Sequence, residues 1–547
     1  MKRTTTIGDL LVRAESRDGG HLFVVSETDR VHYSELLQSS KNVARGLLAL
    51  GVKKGSHVGI YMPNSIRFLE VFFGVSMLGA VTVPIHSRYR TEELRHIVSH
   101  GDLEVVCTSG EVAEVDHPAR FHAAFPEIGS SAGRVLQLQE FPTLKYVVAF
   151  NSLTVPHGFM SDSEFFARAL KKIDVEPLDF LSTVDPSDVA MILYTSGTTA
   201  HPKGCVHTHQ GLVRNAMNMG RTRFFLTERD VFWDPLPMFH VGSLLPLLAV
   251  ADAGATFLTM SKVDGEVGLN MIEKERATWL FPAFPAVTNA ILDATSFESR
   301  DLASVRMTMC TGPTTMLERL QSALPNAIQI STYGSTETGG VVVYHLPSDS
   351  RETRATTCGT AMDGVEIRII DIESREVVPA GCRGEILVRG YSVLLSYFKD
   401  EVASQRAIDA EGWFHTGDLG QLDEGGTLSY HGRLSDMLKV GGENVSPLEV
   451  EAVIGKHSSV AVVQVVACPD DRLGEVVAAF VELKDGCSAT EAELIDFCRV
   501  RIASFKAPKY VRFVTKWPMS TTKIQKGELR RQLIEELTTD AQLAHHR

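Results

Sequence analysis

Between Tyr33 and Ser109 the apolar residues change period repeatedly. Tyr33 to Leu50 has helical spacing, "HVGIYM" is a continuous apolar run, Ser65 to Leu78 is helical again, and "AVTVPI", Thr91 to His100 and "LEVVCTS" follow. Short glycine-containing turns separate them. Helices alternating with buried strands predict an α/β fold built on helix-covered, largely parallel sheets. "VAMILY" at 189–194 reads as a further buried strand, and "HTHQGLVRNAMNMG" at 207–220 as the helix after the loop that follows it. Val241 to Ala251 is strongly apolar but short. It contains Gly242, Ser243 and Pro246 and closes at Asp252, so it predicts a buried segment and not a membrane span.

After about Gly420 the texture changes. The runs "VAVVQVVACP", "VVAAFVEL" and "YVRFVT" have β character, and a last helix is predicted from Lys526. Ser446-Pro447-Leu448-Glu449 and Ser488-Ala489-Thr490-Glu491 both read as capping boxes at helix starts. A small α+β domain of about a hundred residues is expected, beginning within 432–436. We place the division between a large multi-lobed N-terminal domain, 1–434, and a C-terminal domain, 435–547.

Length agrees with this division, because 547 residues exceed what one core normally holds. No run of about 18 uncharged apolar residues is present, so no transmembrane segment is expected. "MKRTTTIGDLLVRAESRDGG" lacks the apolar core of a secretory signal, and the expected location is the cytoplasm. The eight cysteines form no CxxC pair, which argues against a disulfide framework or a zinc site. A net charge of -13 argues against a general nucleic-acid binder. The expected partner is a small molecule, and the sequence leaves the oligomeric state open, a homodimer included.

Candidate chemistry is concentrated in "YTSGTTAHPKGCVHTH" at 194–209. Thr195, Ser196, Thr198 and Thr199 offer hydroxyls, Gly197 lets backbone amides approach a ligand, and Lys203 adds a cation. No Walker A sequence can be written through this loop. Its own chemistry suits either a polyphosphate cradle or a polar surface turn.

Four further segments accompany the loop. It resembles the Y-T-S-G-T-T-G-x-P-K-G loop of the adenylate-forming acyl-CoA synthetase superfamily, with Ala200 where glycine is usual. "STYGSTETGG" at 331–340 is similar to the family's Y-G-x-T-E segment, and "GWFHTGDLG" at 412–420 to its T-G-D segment. "GRLSDMLKVGGENVSPLEVE" at 432–451 resembles the hinge segment, and "PMSTTKIQKGELR" at 518–530 the closing lysine segment. They stand in the family's order, and the match extends from "LGVKKGSHVGIYMPNS" nearly to the C-terminus.

The resemblance implies an ATP-dependent, AMP-forming carboxylic acid:CoA ligase that makes an acyl-adenylate and then an acyl-CoA. ATP, Mg²⁺ and coenzyme A are the implied ligands. ATP falls to the loop residues Thr195, Ser196, Gly197, Thr198, Thr199 and Lys203, and to Tyr333, Gly334 and Ser335 near adenine, beside Gly312 and Pro313. Thr336 faces the α-phosphate, Glu337 holds the metal, and Asp418 with Arg433 binds the ribose. Lys523 bridges the acyl carboxylate and the α-phosphate. Ser435 is the hinge about which the small domain turns, presenting Lys439, Gly441 and Gly442 to CoA. By residue type alone, Tyr333 is a core tyrosine, Glu337 and Arg433 are surface charges, and Asp418 is a turn aspartate.

The acyl pocket is expected among residues 236–246, 281–287, 309–315 and 339–340. Its candidates are His240, Val241, Gly242, Ser243, Phe284, Gly339 and Gly340. His240 lies near the substrate carboxylate if the resemblance holds there, and is a core histidine otherwise. The apolar lining with small residues suits a fatty or bulky alicyclic or aryl acid. Three departures stand out: Ala200, "CTGPTT" where G-G-A-P is usual, and the absence of a glycine immediately before Lys523. Beside the CoA ligase stand an enzyme that loads a carrier-protein thiol, a luciferase-like oxygenase, and a non-catalytic nucleotide-binding relative.

Overall fold

The structure is a computed structural model that describes residues 5–110, 115–130, 134–195, 202–440, 443–470, 472–519 and 524–545. Among the described residues the chain builds five sheets. The first has eight strands, in the order Ser396–Tyr397, Lys203–Thr208, Val189–Thr195, Val81–Pro84, His57–Tyr61, Val105–Ser109, Tyr146–Phe150 and Met160–Ser161. Its pairings are parallel from Val189–Thr195 onward. The second has seven strands, with the parallel set Ile328–Ile330, Met307–Cys310, Trp279–Ala283, Val231–Trp233, Thr256–Leu258 and Leu22–Val25, and Arg30–His32 antiparallel at its edge. Such strands are buried on both faces, and they are therefore the continuous apolar runs of the sequence. The helices Tyr33–Ala49 and Ile66–Met77 belong with both sheets to one large core that includes Phe23, Phe72, Trp233 and Trp279.

Most predicted elements lie where their periodicity puts them, but residues 207–220 do not form one helix. Lys203–Thr208 is a strand antiparallel to Val189–Thr195, and only then does the helix His209–Thr222 begin. Gly204 to Thr208 are buried in the sheet, whereas Thr208 is the N-cap and accepts the Gly211 N–H. The hydroxyl-rich loop is thus the connection of a hairpin whose ends, Thr195 and Lys203, lie directly opposite each other. Val241–Ala253 is a nearly all-buried helix with Pro246 inside it, stopped by Gly254 at φ +74°.

An antiparallel sheet of Val365–Ile370, Gly384–Gly390, Phe414–Leu422 and Leu428–Arg433 leads into the C-terminal region. Beyond it, a five-stranded sheet (Leu438–Val440, Glu443–Val445, Val460–Asp470, Gly474–Leu483, Tyr510–Phe513) carries a core on each face. Leu438, Val465, Val477 and Leu494 fill one, and Val466, Ala478, Phe480, Leu529 and Leu533 the other. Alternating residues of two long strands supply both. Neither expected capping box forms as read. Ser446 is an N-cap by position, but its hydroxyl donates to the His431 carbonyl at 2.8 Å instead of capping. The box of the next helix, Glu491–Arg499, uses Thr490 with Glu493, two residues beyond the expected Ser488. No helix among the described residues is long and apolar enough to cross a membrane.

Candidate active site

The segment 331–340 folds as a hairpin, Thr332–Ser335 against Gly340–Tyr344, with Thr336 and Glu337 in its turn. The turn requires its glycines. Gly339 has φ +68° and Gly340 φ +98°, and a Cβ on Gly339 would lie 2.4 Å from the Ser392 carbonyl oxygen. Thr338 ties the turn together: its Oγ1 accepts the Ser335 N–H at 2.8 Å and lies 2.7 Å from the Gly340 carbonyl oxygen. From the adjacent helix, buried Asn215 donates to the carbonyls of Gly339 and Val341 at 2.9 and 3.2 Å. Glu337 is thereby presented on a turn held from both sides.

Two neighbouring strands bring Asp418 and Arg433 into direct register. Asp418 Oδ1 lies 2.9 Å from Arg433 Nε, and the Tyr333 hydroxyl donates to Asp418 Oδ2 at 2.7 Å. Burial, then the Asp418 charge, pushes the Tyr333 hydroxyl well above its ordinary pKa, so it remains a donor. The Tyr333 ring is itself largely buried and lies against Tyr430, their centroids 5.9 Å apart. At the other end of the hairpin, Tyr397 donates to Glu337 Oε1 at 3.2 Å, and Lys203 Nζ sits 5.0 Å from the centre of the Tyr397 ring. One continuous chain of contacts therefore joins the hairpin turn to the exit of the hydroxyl-rich loop.

Of the other expected site residues, Ser196, Gly197, Thr198, Thr199, Gly441, Gly442 and Lys523 lie outside the described residues. Lys439 is exposed on its strand, with its backbone N–H donating to Glu475 at 2.9 Å. Ser435 is exposed beside Asp436. Gly312 and Pro313 are exposed at the start of the helix Thr314–Ala323.

The proposed acyl lining is closely packed where Val241 and Leu245 meet Gly340. A Cβ there would lie 2.9 Å from Leu245 Cδ2, so this glycine admits a neighbour instead of opening a void. Gly242 is open by contrast, and Ser243 is buried. His240 packs on Phe239 and edge-on to His86, ring centres 4.7 and 5.7 Å apart. Burial, followed by the proximity of His240, lowers His86 to about 3. Ala283, before Phe284, holds φ +55°, a left-handed backbone unusual for a residue with a Cβ. Thr311 N–H and Oγ1 both donate to its carbonyl, at 2.8 and 2.9 Å.

Asn64, Asn215, His86 and Tyr397 were not singled out from the sequence. Asn64 donates to the Leu236 carbonyl and accepts from Met238 N–H, each at 2.7 Å, so it fixes the loop before His240. A polar residue between an apolar strand and a helix, in "MPNS", was the available signal for it.

Residues 11–398 match the AMP-binding enzyme family model, and residues 449–523 match the AMP-binding enzyme C-terminal domain. The chain belongs to the AMP-binding enzyme family. A 3-[(3aS,4S,7aS)-7a-methyl-1,5-dioxo-octahydro-1H-inden-4-yl]propanoyl:CoA ligase of Mycobacterium tuberculosis is 33% identical, over 93% of this chain and 95% of that protein. The human mitochondrial medium-chain acyl-CoA ligase ACSF2 is 30% identical over 97% and 88%. Among solved structures, a Mycobacterium tuberculosis fatty acyl CoA synthetase aligns with TM-score 0.72 at 28% identity, covering 97% of this chain and 99% of that one. The anthranilate CoA ligase AuaEII in complex with anthranoyl-AMP has the same fold, with TM-score 0.84 at 24% identity over 97% and 98%. This AMP-binding enzyme is an AMP-forming acyl-CoA synthetase. The Asp418 carboxylate, with Tyr333 and Arg433 around it, has the donor and acceptor chemistry that a nucleoside sugar requires.

Proposed function

We propose that this enzyme activates a fatty or bulky alicyclic or aryl carboxylic acid, using residues 195–203 with Thr336 and Glu337 for the triphosphate and its metal, Tyr333, Gly334 and Ser335 for adenine, and Asp418 with Arg433 for the ribose. In the first half-reaction a carboxylate oxygen attacks the α-phosphorus, the bond to the β-phosphate oxygen breaks, and pyrophosphate leaves. In the second, the CoA thiol gives up its proton to solvent, its sulfur attacks the acyl carbon, the bond from that carbon to the phosphate oxygen breaks, and AMP leaves with the bonding pair. Both steps gather negative charge, so fixed donors and cations carry the rate. Lys203 and Thr336 serve the phosphates, and Lys523 serves the first step.

Glu337 is a half-buried carboxylate that accepts from Tyr397 and lies within electrostatic reach of Arg433. One carboxylate suits Mg²⁺, which takes its remaining ligands from phosphate oxygens and water. When bound, Mg²⁺ neutralises charge on the departing pyrophosphate. We place the domain boundary at 434/435, with Ser435 the pivot that exchanges Lys523 for Lys439, Gly441 and Gly442. What supports that placement is the change of core between Leu428 and Leu438.

The observation that carries the reading is the convergence of Tyr333, Asp418 and Arg433 on one side of the hairpin and Glu337 and Lys203 on the other. The acid class rests on the apolar stretch around Val241 and Phe284 and on acyl-CoA ligases as relatives. Pyrophosphate release is to be measured with medium- and long-chain fatty acids, alicyclic acids, aryl acids, acetate and amino acids, with CoA or a carrier protein as acceptor. The proposal expects fatty, alicyclic or aryl acids to lead and free CoA to serve. Preference for acetate or an amino acid would refute the acid class. Lys523→Ala should slow adenylation about 10²- to 10³-fold and spare thioester formation from preformed adenylate, with the bias reversed in Lys439→Ala. Equal losses in both halves for both variants would refute the exchange of lysines.

A further inference from the structure

The segment 394–398 touches both halves of the phosphate machinery. Leu394 N–H donates to the Glu337 carbonyl at 2.8 Å, and Leu395 N–H to that of Val206 at 2.9 Å. Phe398 N–H donates to the Gly204 carbonyl at 2.7 Å, so the strand Ser396–Tyr397 lies along the strand that begins at Lys203. The register is locked from outside the sheet, where Ser404 Oγ accepts the Tyr397 N–H at 2.8 Å. Ser404 belongs to the helix Glu401–Ala407, capped by Asp400. This strap fixes where the Tyr397 side chain stands.

That side chain meets the two charged groups at once. Its hydroxyl donates to Glu337 Oε1 at 3.2 Å, and its ring lies 5.0 Å from Lys203 Nζ. We infer that Tyr397 is a positioning residue that sets the Glu337 carboxylate for the nucleotide-bound cation through its hydroxyl and holds Lys203 over its ring. The inference rests on the reading above, in which Glu337 faces Mg²⁺ and Lys203 the phosphates. With Oε1 committed to the tyrosine, Oε2 is the oxygen left for the cation. Burial, followed by the Glu337 charge, raises the Tyr397 hydroxyl above its ordinary range, so it stays protonated and donates. Partners that orient a metal-binding side chain commonly matter about 10- to 100-fold in metal affinity. Tyr397 touches neither reacting atom, and its effect runs through Glu337 and Lys203.

Equilibrium binding of ATP to the full-length protein, by calorimetry in Mg²⁺ and again in EDTA, tests this without reference to turnover. Tyr397→Phe should reduce the ratio of the two affinities about 10-fold while leaving the EDTA affinity and the thermal midpoint unchanged. Tyr397→Leu, which also removes the ring from Lys203, should weaken binding in EDTA as well. Ser404→Ala should shift the ratio in the same direction by less, which keeps the test available if Tyr397→Phe fails to fold. A wild-type ratio in Tyr397→Phe, or an equal loss in Mg²⁺ and EDTA, overturns the inference. Glu337→Gln separates the two levels. If it abolishes the metal-dependent ratio while Tyr397→Phe leaves it intact, the role of Glu337 stands and that of Tyr397 falls. If Glu337→Gln itself leaves the ratio intact, the reading of Glu337 falls and takes the inference with it.

Discussion

Asp418 concentrates the site's polar chemistry in one carboxylate, gripped by the Tyr333 hydroxyl and the Arg433 guanidinium. Asp418→Asn keeps the shape but removes the charge, and hydrogen bonds to charged groups are worth about 1.5–3 kcal/mol. The KM for ATP should therefore rise about 10- to 100-fold with little change in the KM for the acid, as steady-state kinetics would show. A parallel rise in both constants would contradict a ribose role. Ala283 makes a different kind of prediction. Its left-handed backbone at φ +55° tolerates a methyl poorly and a β-branched side chain worse, so Ala283→Val should cost about 1–3 kcal/mol in chemical denaturation. At this scale the candidate positions came from the resemblance and not from residue type, by which Glu337 and Arg433 read as surface charges and Asp418 as a turn aspartate; what the structure adds is that Tyr333, Asp418 and Arg433 meet. Asn64, Asn215 and Tyr397 were not legible in the sequence, because each acts on a segment far along the chain. Asn215 reaches carbonyls 124 and 126 positions away, and no local pattern announces such a pairing.

The hairpin carrying Thr336 and Glu337 works because its turn is rigid. Gly339→Ala would force a Cβ to within 2.4 Å of the Ser392 carbonyl at a φ of +68°, so the turn must shift. The expected outcome is a loss of about 1–3 kcal/mol in stability and a raised KM for ATP, both measurable on one purified variant. A variant with wild-type stability and kinetics would show that the turn tolerates movement. Element type was legible for long periodic stretches such as Tyr33–Ala49, and boundaries were less so. The strand Lys203–Thr208 was missed because "KGCVHT" alternates weakly and runs straight into a helix whose period begins at His209. Its partner strand, not its own sequence, makes it a strand. The Ser446 box failed for a related reason: the hydroxyl found a tertiary acceptor, the His431 carbonyl, in preference to its own helix.

For the whole molecule, the separation of a small C-terminal domain with its own cores was visible as a change of texture after Gly420, since each domain must fill its own interior. The large domain's interior has a consequence for pH. His207 and His209 are almost completely buried, and burial holds both at about 4. His209 Nδ1 accepts the Ile7 N–H at 3.3 Å, so a proton on that nitrogen would abolish the contact with the N-terminal helix Ile7–Asp18. An unfolded histidine titrates near 6.5. Because the folded value lies below the unfolded one, this stability is fully present above about pH 6.5 and drains as pH falls from there toward 4. The rate is at most about 1.4 kcal/mol per pH unit for each histidine. Thermal melts of the large domain between pH 7.5 and 4.5 should show the midpoint falling through that window and level above it. His209→Gln keeps an acceptor for Ile7 without a titrating group, so its profile should be shallower than that of the parent enzyme. A parent midpoint that stays level down to pH 4.5, or a His209→Gln profile as steep as the parent's, would show that these buried histidines do not control the acid limit of the fold.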